Sequence, residues 1–370
     1  MIFIKTNLFL CICHLSNIMD VMQLIEKRRP LIERELERVF SRSAKTWVVP
    51  ALEKPRYSFD IATIQQGLTD QIWEFLDRGG KRWRPVLMIS ACKALNGSEK
   101  LALKFAPLVE FVHEGTLLVD DVEDNADTRR GKPAMHKIYG IDCAVNTGNA
   151  MYFIPLALLY KNKQNLPDEK LVKIYNIYAQ EMLRLSVGQA MDIWWHKGKK
   201  RFITEEEYLQ MCAYKTGVLA RFAAKLGAIL ADASKRKIDA LGQFGESLGI
   251  AFQIQDDILN IAPKSKQWGK ELGEDITEGK RTLLVIRALK VLPKKDSEKL
   301  LRILDSHTKN KRIVNQAIAL IKKSGAIDFA SAKARQIVSN AWKNIEPILE
   351  EGEGKEELKA FADFVINRDV

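Results

Sequence analysis

Two apolar helical runs in this sequence end in clusters of acid, and that pairing constrains the chain more than any other feature. In the first, Phe105, Leu108, Val109, Val112, Thr116 and Val119 recur at three- and four-residue steps and lead into Asp120-Asp121-Val122-Glu123-Asp124. In the second, Leu241, Phe244, Leu248, Ala251, Ile254 and Ile258 lead through Gln253-Ile254-Gln255-Asp256-Asp257-Ile258-Leu259-Asn260. The spacing predicts helices with one core-facing side. Asp120 and Asp124 are four apart and share a face, as do Asp256 and Asn260. Acid at a helix C-terminus opposes the macrodipole and repels its neighbour. One such cluster is equally a solvated helix end; stability gives no reason to build the same liability twice. Two clusters facing each other across a cavity would clamp hard cations, and magnesium takes oxygen ligands at about 2.0–2.1 Å, completing its shell with phosphate and water.

The cationic segments lie close by in sequence. Gly79-Gly80-Lys81-Arg82-Trp83-Arg84-Pro85 predicts a tight turn opening a helix, where backbone amides with Lys81 and Arg84 form an anion site. Thr128-Arg129-Arg130-Gly131 follows the first acidic cluster, and adjacent arginines project apart and can serve two anions. Lys215 and Lys270 are further candidates. Each of these alone is a solvated charge; their place beside the acids is what points to a diphosphate substrate. A Walker loop, a kinase glycine loop and GxGxxG are all missing, which disfavours a nucleotide. So are HExxH and any Ser-His-Asp or Cys-His grouping, and five histidines leave little for histidine chemistry.

The remainder reads as scaffold for one all-α domain. Leu, Ala, Lys and Glu are plentiful and only 11 of 370 residues are proline. Thr204 with Glu207 predicts a capping box, and no clear β-hairpin signal is present. Breaks at Gly79-Gly80, Gly131 to Pro133, Lys161 to Glu169, Trp195 to Ile203, Ala231 to Lys237, Ala262 to Asp275 and Glu350 to Lys355 separate helices of ordinary length. The formal charge of +11 is compatible with nucleic acid, an anionic membrane or phosphorylated small molecules, but no nucleic-acid motif accompanies it. Five cysteines (Cys11, Cys13, Cys92, Cys143, Cys212) without a CxxC pair fit a reducing, cytoplasmic compartment rather than a disulfide framework. Residues 1–18 read as an extension or upstream start, with Met19 or Met22 as the working start and 19–370 as the domain. No stretch is a transmembrane segment; Ala150 to Tyr160 is apolar but too short and contains Pro155.

Taken together, GGKRWRP, LLVDDVEDNADTRRGKP, GQAMDIWW, YKTG, FQIQDDILN and GKELGEDITEGKRT resemble, in order over residues 79 to 285, the trans-isoprenyl diphosphate synthases. The resemblance implies an isoprenoid synthase fold of about a dozen helices around a deep cavity, usually as a homodimer. It implies three magnesium ions, with manganese as a substitute, bound by Asp120, Asp121 and Asp124 of the first motif and Asp256 of the second, with Asp257 beside it. Arg129, Lys215 and Lys270 match allylic-diphosphate contacts; Lys81, Arg84, His113 and Arg130 match the isopentenyl diphosphate site. Gln189, Asp192, Gln253, Asp275 and Lys280 match supporting positions in the cavity wall, and in the implied mechanism the dipoles of the Lys215 carbonyl, the Thr216 hydroxyl and Gln253 stabilise the allylic cation. Asn260 departs from the pattern by replacing an acid with an amide, which implies tuned metal affinity.

The implied activity is head-to-tail condensation of isopentenyl diphosphate with an allylic diphosphate. Gly115 and Thr116, one turn before Asp120, are small and leave room for a tail, while Tyr152 and Phe153 match a deeper floor; the expected product is geranylgeranyl diphosphate (C20). If those aromatics are ordinary core residues the product is expected to exceed twenty carbons; a farnesyl or a longer-chain (C25 and above) synthase is the alternative. A terpene cyclase or head-to-head synthase would not need GGKRWRP, and a non-catalytic partner subunit would be expected to lose motif residues that this chain retains.

Overall fold

The computed structural model describes residues 20–52, 54–161, 166–263 and 272–367. The expected N-terminal extension, Cys11, Cys13 and Lys270 lie outside the described residues. The fold is all-α: almost every described element is a helix, and the predicted breaks fall between them.

The organising element is the helix Val218–Leu230. It is apolar nearly all round, and every residue of it except Arg221 is buried, as expected of a helix surrounded by others. It packs against Trp83–Lys93, against Asp168–His196 and most extensively against Lys235–Ile261, the second acidic helix. Its small residues permit this: a Cβ at Gly227 would lie 2.2 Å from the Met88 carbonyl oxygen. The first acidic helix, Ala106–Glu123, packs chiefly on Ile141–Lys161. The six periodic residues from Leu241 to Ile258 are all buried, so the second apolar stripe is the core face the spacing predicted.

The Thr204–Glu207 capping box is present in both directions. One local feature was not foreseen. Thr128–Arg129 pairs antiparallel with Lys132–Pro133 across Arg130-Gly131, both in the left-handed region (φ 54° and 74°). Two consecutive positive φ values make the primed turn that a two-residue hairpin needs; Arg-Gly supplies it in place of the usual Asn-Gly.

The ends of the chain are joined by buried charge. Arg28, in the helix Val21–Val39, donates to both oxygens of Glu357 in the helix Glu353–Asn367, at 2.7 and 2.9 Å. Ser90 donates a third bond to Glu357 at 2.6 Å. The described residues from Leu292 onward, up to Asn367, contribute packing, and none of the candidate site residues is among them.

Candidate active site

Helix Lys235–Ile261 brings Asp256, Asp257 and Asn260 to the same cleft as Asp120 of helix Ala106–Glu123. Asp192, Tyr208, Lys215, Gln253, Asp275 and Lys280 complete much of the lining of this space of about 120 Å³. A wider surface depression lined by His136, Asp142, Asn146 and Asn149 contains none of these residues. The Lys280 ammonium lies 3.8 Å from Asp124 at the end of the first acidic helix and 3.8 Å from Asp275 beyond the second, so one cation links the first cluster to the segment that follows the second. The two acidic ends do face each other.

Asp120 is the best-supported acid. Gln189 donates to it at 2.9 Å and to Glu123 at 2.7 Å, and Lys215 lies 3.2 Å away while also bonding Asp192. Burial works against its charge, but Lys215, Lys280, Gln189 and Arg129 prevail and hold the Asp120 carboxyl well below the usual range. Asp124 has the opposite balance: burial first and then the Asp120 charge push it up to about 7. Two carboxylates one turn apart, one resisting ionisation because it is buried and lies beside the other's charge, form a site that a cation would relieve. Among the described residues no group of three or more His, Cys, Asp or Glu side chains converges to hold a metal ion by protein ligands alone.

Asp121 departs from its expected place as a metal ligand. It is buried away from the cleft, where Arg129 grips its carboxylate, with Arg129 Nε 2.8 Å from Oδ1. The reason is helical: Asp121 is 100° round from Asp120, so a face that presents 120 and 124 turns 121 inward. Arg129 is consequently engaged with Asp121. On the second cluster, Asp257 is buried in the wall of the cleft, accepting from Tyr208 at 2.6 Å and from Gln253 at 2.9 Å. Burial and then Asp275 push the Asp257 carboxyl up to about 8. Asn260 is buried, and its side-chain oxygen accepts the Asp275 amide at 3.3 Å.

Lys215 and Thr216 sit on a π-helical turn, Ala213–Gly217. Thr216 donates to the Gln253 side-chain oxygen Oε1 at 2.8 Å. Such turns take some carbonyls out of α-helical register.

The second group of predicted residues gathers above the Gly79-Gly80 turn. Arg84 Nη1 lies 3.0 Å from His113 Nε2. Burial and the neighbouring arginines drive the His113 pKa well down, so the ring is neutral and its Nε2 accepts from Arg84. His113 therefore orients Arg84. Burial also lowers Arg84, to about 10. Arg84 Nε and Arg130 Nη1 are both buried without a hydrogen-bond partner among the described residues. Lys81 is exposed at the rim of this group.

The chain-length residues divide. A Cβ at Gly115 would lie 2.8 Å from the Gly148 carbonyl oxygen and 3.1 Å from Tyr152 Cε1, so Gly115 serves a close helix crossing, and Tyr152 fills the space beside it. Thr116 is half-buried, bonded to the His113 carbonyl at 2.7 Å. Phe153 is 68% exposed and forms no floor within this chain: on a helix the residue after an inward Tyr152 is turned away by 100°.

Sequence reasoning missed Arg82, Glu110 and Glu114. Arg82 is buried and donates to Glu110 at 2.9 Å and to Glu114. The available signal was two acids four apart inside an otherwise apolar helix, a pattern that needs buried cations.

A family model described as Polyprenyl synthetase matches residues 65–321, more than half of the chain. The chain belongs to the polyprenyl synthetase family. A short chain isoprenyl diphosphate synthase from Methanothermobacter thermautotrophicus is 35% identical over 292 residues, 79% of this chain and 87% of that one. A geranylgeranyl pyrophosphate synthetase from Pyrococcus horikoshii Ot3 has a structure similar at TM-score 0.82 and 29% identity, covering 94% of this chain and 98% of that one. A polyprenyl synthase from Caulobacter crescentus CB15, solved complexed with calcium and isoprenyl diphosphate, is similar at TM-score 0.79 and 25% identity, covering 95% and 98%. This polyprenyl synthetase is accordingly an enzyme, a trans-prenyltransferase with the isoprenoid synthase fold. Among its described residues no helix is long and apolar enough to cross a membrane.

Proposed function

We propose that this polyprenyl synthetase joins isopentenyl diphosphate to an allylic diphosphate in the cleft between the two acidic helix ends, and releases geranylgeranyl diphosphate and free diphosphate. The observation that carries the reading is the facing of Asp120 and Asp124 with Asp256 and Asp275, spanned by Lys280. Asp120, Asp124 and Asp256 would hold magnesium, with manganese as a substitute; such ions take one or two protein carboxylates and fill the shell with phosphate oxygens and water. The Caulobacter relative binds calcium and isoprenyl diphosphate, and the raised Asp124 carboxyl supports a cation at this place. Bound metal supplies charge neutralisation for the departing diphosphate.

The chain's own residues do the rest. Lys215, Lys280, Arg129 and Lys270 hold the allylic diphosphate. Its carbon–oxygen bond breaks, the diphosphate leaves with the electron pair, and an allylic cation remains. The Thr216 hydroxyl oxygen, the Lys215 carbonyl and Gln253 present dipoles to that cation. Lys81, Arg84 and Arg130 hold isopentenyl diphosphate, with His113 behind Arg84. The buried, unpartnered Arg84 Nε and Arg130 Nη1 support an anion there. The isopentenyl double bond attacks, a carbon–carbon bond forms, and the released diphosphate takes the proton.

Tyr152, set against Gly115 on the neighbouring helix, is the floor that limits the chain to twenty carbons, and Thr116 leaves the turn above it open. Residues 19–370 form one catalytic domain that works in the cytoplasm as a homodimer. The dimer reading is supported by one helix face that exposes Val172, Tyr175, Leu183, Val187 and Trp194, an apolar stripe of the kind that marks protein contacts, and by Phe153. The test is purified protein with magnesium, labelled isopentenyl diphosphate and each allylic starter, with product length read by chromatography. A C20 product supports the reading; no condensation with any starter overturns it.

A further inference from the structure

Two arginine-bearing turns meet on one carboxylate in this molecule. The first is Gly79 to Arg84, where Arg82 has a left-handed backbone (φ 54°) at the head of the helix Trp83–Lys93. The second is the hairpin turn after the first acidic helix, where Arg130 has the same φ of 54°. L-residues other than Asn and Asp rarely adopt this conformation without a tertiary reason. Both guanidinium groups end on Oε1 of Glu114: Arg130 Nη2 at 2.8 Å and Arg82 Nη1 by a short bond. Glu114 is fully buried, and a Cβ on Gly80 would lie 3.0 Å from each of the same two arginine nitrogens. The loop backbone therefore rests on the pair, and the pair rests on Glu114.

The two arginines are not equally held. Arg82 also donates to Glu33 at 2.8 Å, Glu110 at 2.9 Å and the Leu76 carbonyl at 3.0 Å. Arg130 has Glu114 at one end and the Phe75 ring 5.5 Å away, and its other terminal nitrogen, Nη1, is buried with no hydrogen-bond partner among the described residues. That open nitrogen is the end available to a phosphate oxygen. Glu114 lies six residues before Asp120 on the same helix, so it also sets how far this end stands from the metal-side carboxylates.

We propose that Glu114 is the positioning residue of the second-diphosphate site: its single carboxylate fixes Arg130 and the Gly79–Arg84 turn to the first acidic helix, so that Arg130 and Arg84 present their unpartnered N–H groups to isopentenyl diphosphate at a set distance from Asp120. The proposal rests on the assignment of Arg84 and Arg130 to that substrate. It is distinct from a packing role because the carboxylate charge, and not its volume, does the fixing.

The experiment is steady-state kinetics of full-length Glu114→Gln, Glu114→Asp and Arg84→Ala, each with magnesium, isopentenyl diphosphate and an allylic starter, beside thermal melts. Gln conserves shape and removes charge. The expected result for Glu114→Gln is a KM for isopentenyl diphosphate raised about tenfold, the scale of one charge-assisted hydrogen bond, with the allylic KM and kcat within about threefold of wild type. Glu114→Asp should recover part of the loss. If Arg84→Ala raises the isopentenyl KM and Glu114→Gln does not, or changes only kcat or melting temperature, the proposal is overturned while the site assignment stands. If Arg84→Ala leaves that KM unchanged, the site assignment fails and the positioning role fails with it.

Discussion

Replacing Gly188 with alanine should disable the enzyme from a position that touches no substrate. Gly188 is where the helix Asp168–His196 meets the π-helical turn that carries Lys215 and Thr216. A Cβ there would lie 2.4 Å from the Lys215 amide nitrogen and 2.5 Å from the Tyr214 carbonyl carbon. Ordinary contact begins at 3.4 Å, so the two backbones must part by about 1.0 Å. The turn cannot retreat freely, because Gly249 on its other side allows no more room: a Cβ at 249 would be 2.4 Å from the Gly217 Cα. A shift of this size lengthens the 3.2 Å Lys215–Asp120 pair and the 2.8 Å Thr216–Gln253 bond. Misplacement of reacting groups by about 1 Å costs on the order of 100-fold in rate, and overpacking about 1–3 kcal/mol in stability. The assay is kcat/KM for the allylic substrate with magnesium saturating, beside a urea or thermal melt. Ser186→Ala, exposed on the same helix, is the control. A Gly188→Ala protein that melts like wild type and retains kcat/KM within threefold would refute the close-approach argument.

Three further outcomes follow from the site. Thr116→Phe fills the turn before Asp120, about 5.4 Å of helix and close to one isoprene unit, so the product should shorten toward fifteen carbons; an active variant that still releases the wild-type chain shows that the tail does not pass this helix. Asn260→Asp retains the acceptor for the Asp275 amide and adds a carboxylate, so activity should persist with half-saturation at lower magnesium; loss of turnover would give Asn260 a different role. Because the Asp124 carboxyl is raised to about 7 and must be ionised to bind a cation, metal affinity should weaken as pH falls from 8 to 6 and proton release should accompany binding below pH 7. Calorimetry in two buffers of different ionisation enthalpy checks this, and a pH-independent affinity would contradict it.

The two acidic helix ends were legible because spacing alone decides which side chains share a face. That Asp120 and Asp256 meet in one cleft followed from chemistry, since two identical electrostatic liabilities needed a common purpose. The same helical geometry turned Asp121 onto Arg129 and Phe153 to the surface, and both could have been foreseen from a 100° step had the resemblance not drawn whole motifs into the site. What the sequence could not disclose was pairing at a distance. Glu114 is tied to Arg130 sixteen residues later and Arg82 thirty-two earlier, and no local pattern says which buried acid meets which buried base. The Gly188–Lys215 contact was hidden for a similar reason: a glycine in a helix reads as a weakness until the neighbouring backbone is in view.

The central claim is that two acidic helix ends act as one metal-dependent clamp, and its most direct test is turnover of Asp120→Ala and Asp256→Ala measured separately across a magnesium titration, with circular dichroism to establish folding. The account predicts that each variant folds yet loses turnover by about a thousandfold or more at any magnesium concentration, a loss on the scale of removing electrostatic stabilisation at a reacting centre. Near-normal turnover in either folded variant with magnesium present would contradict it.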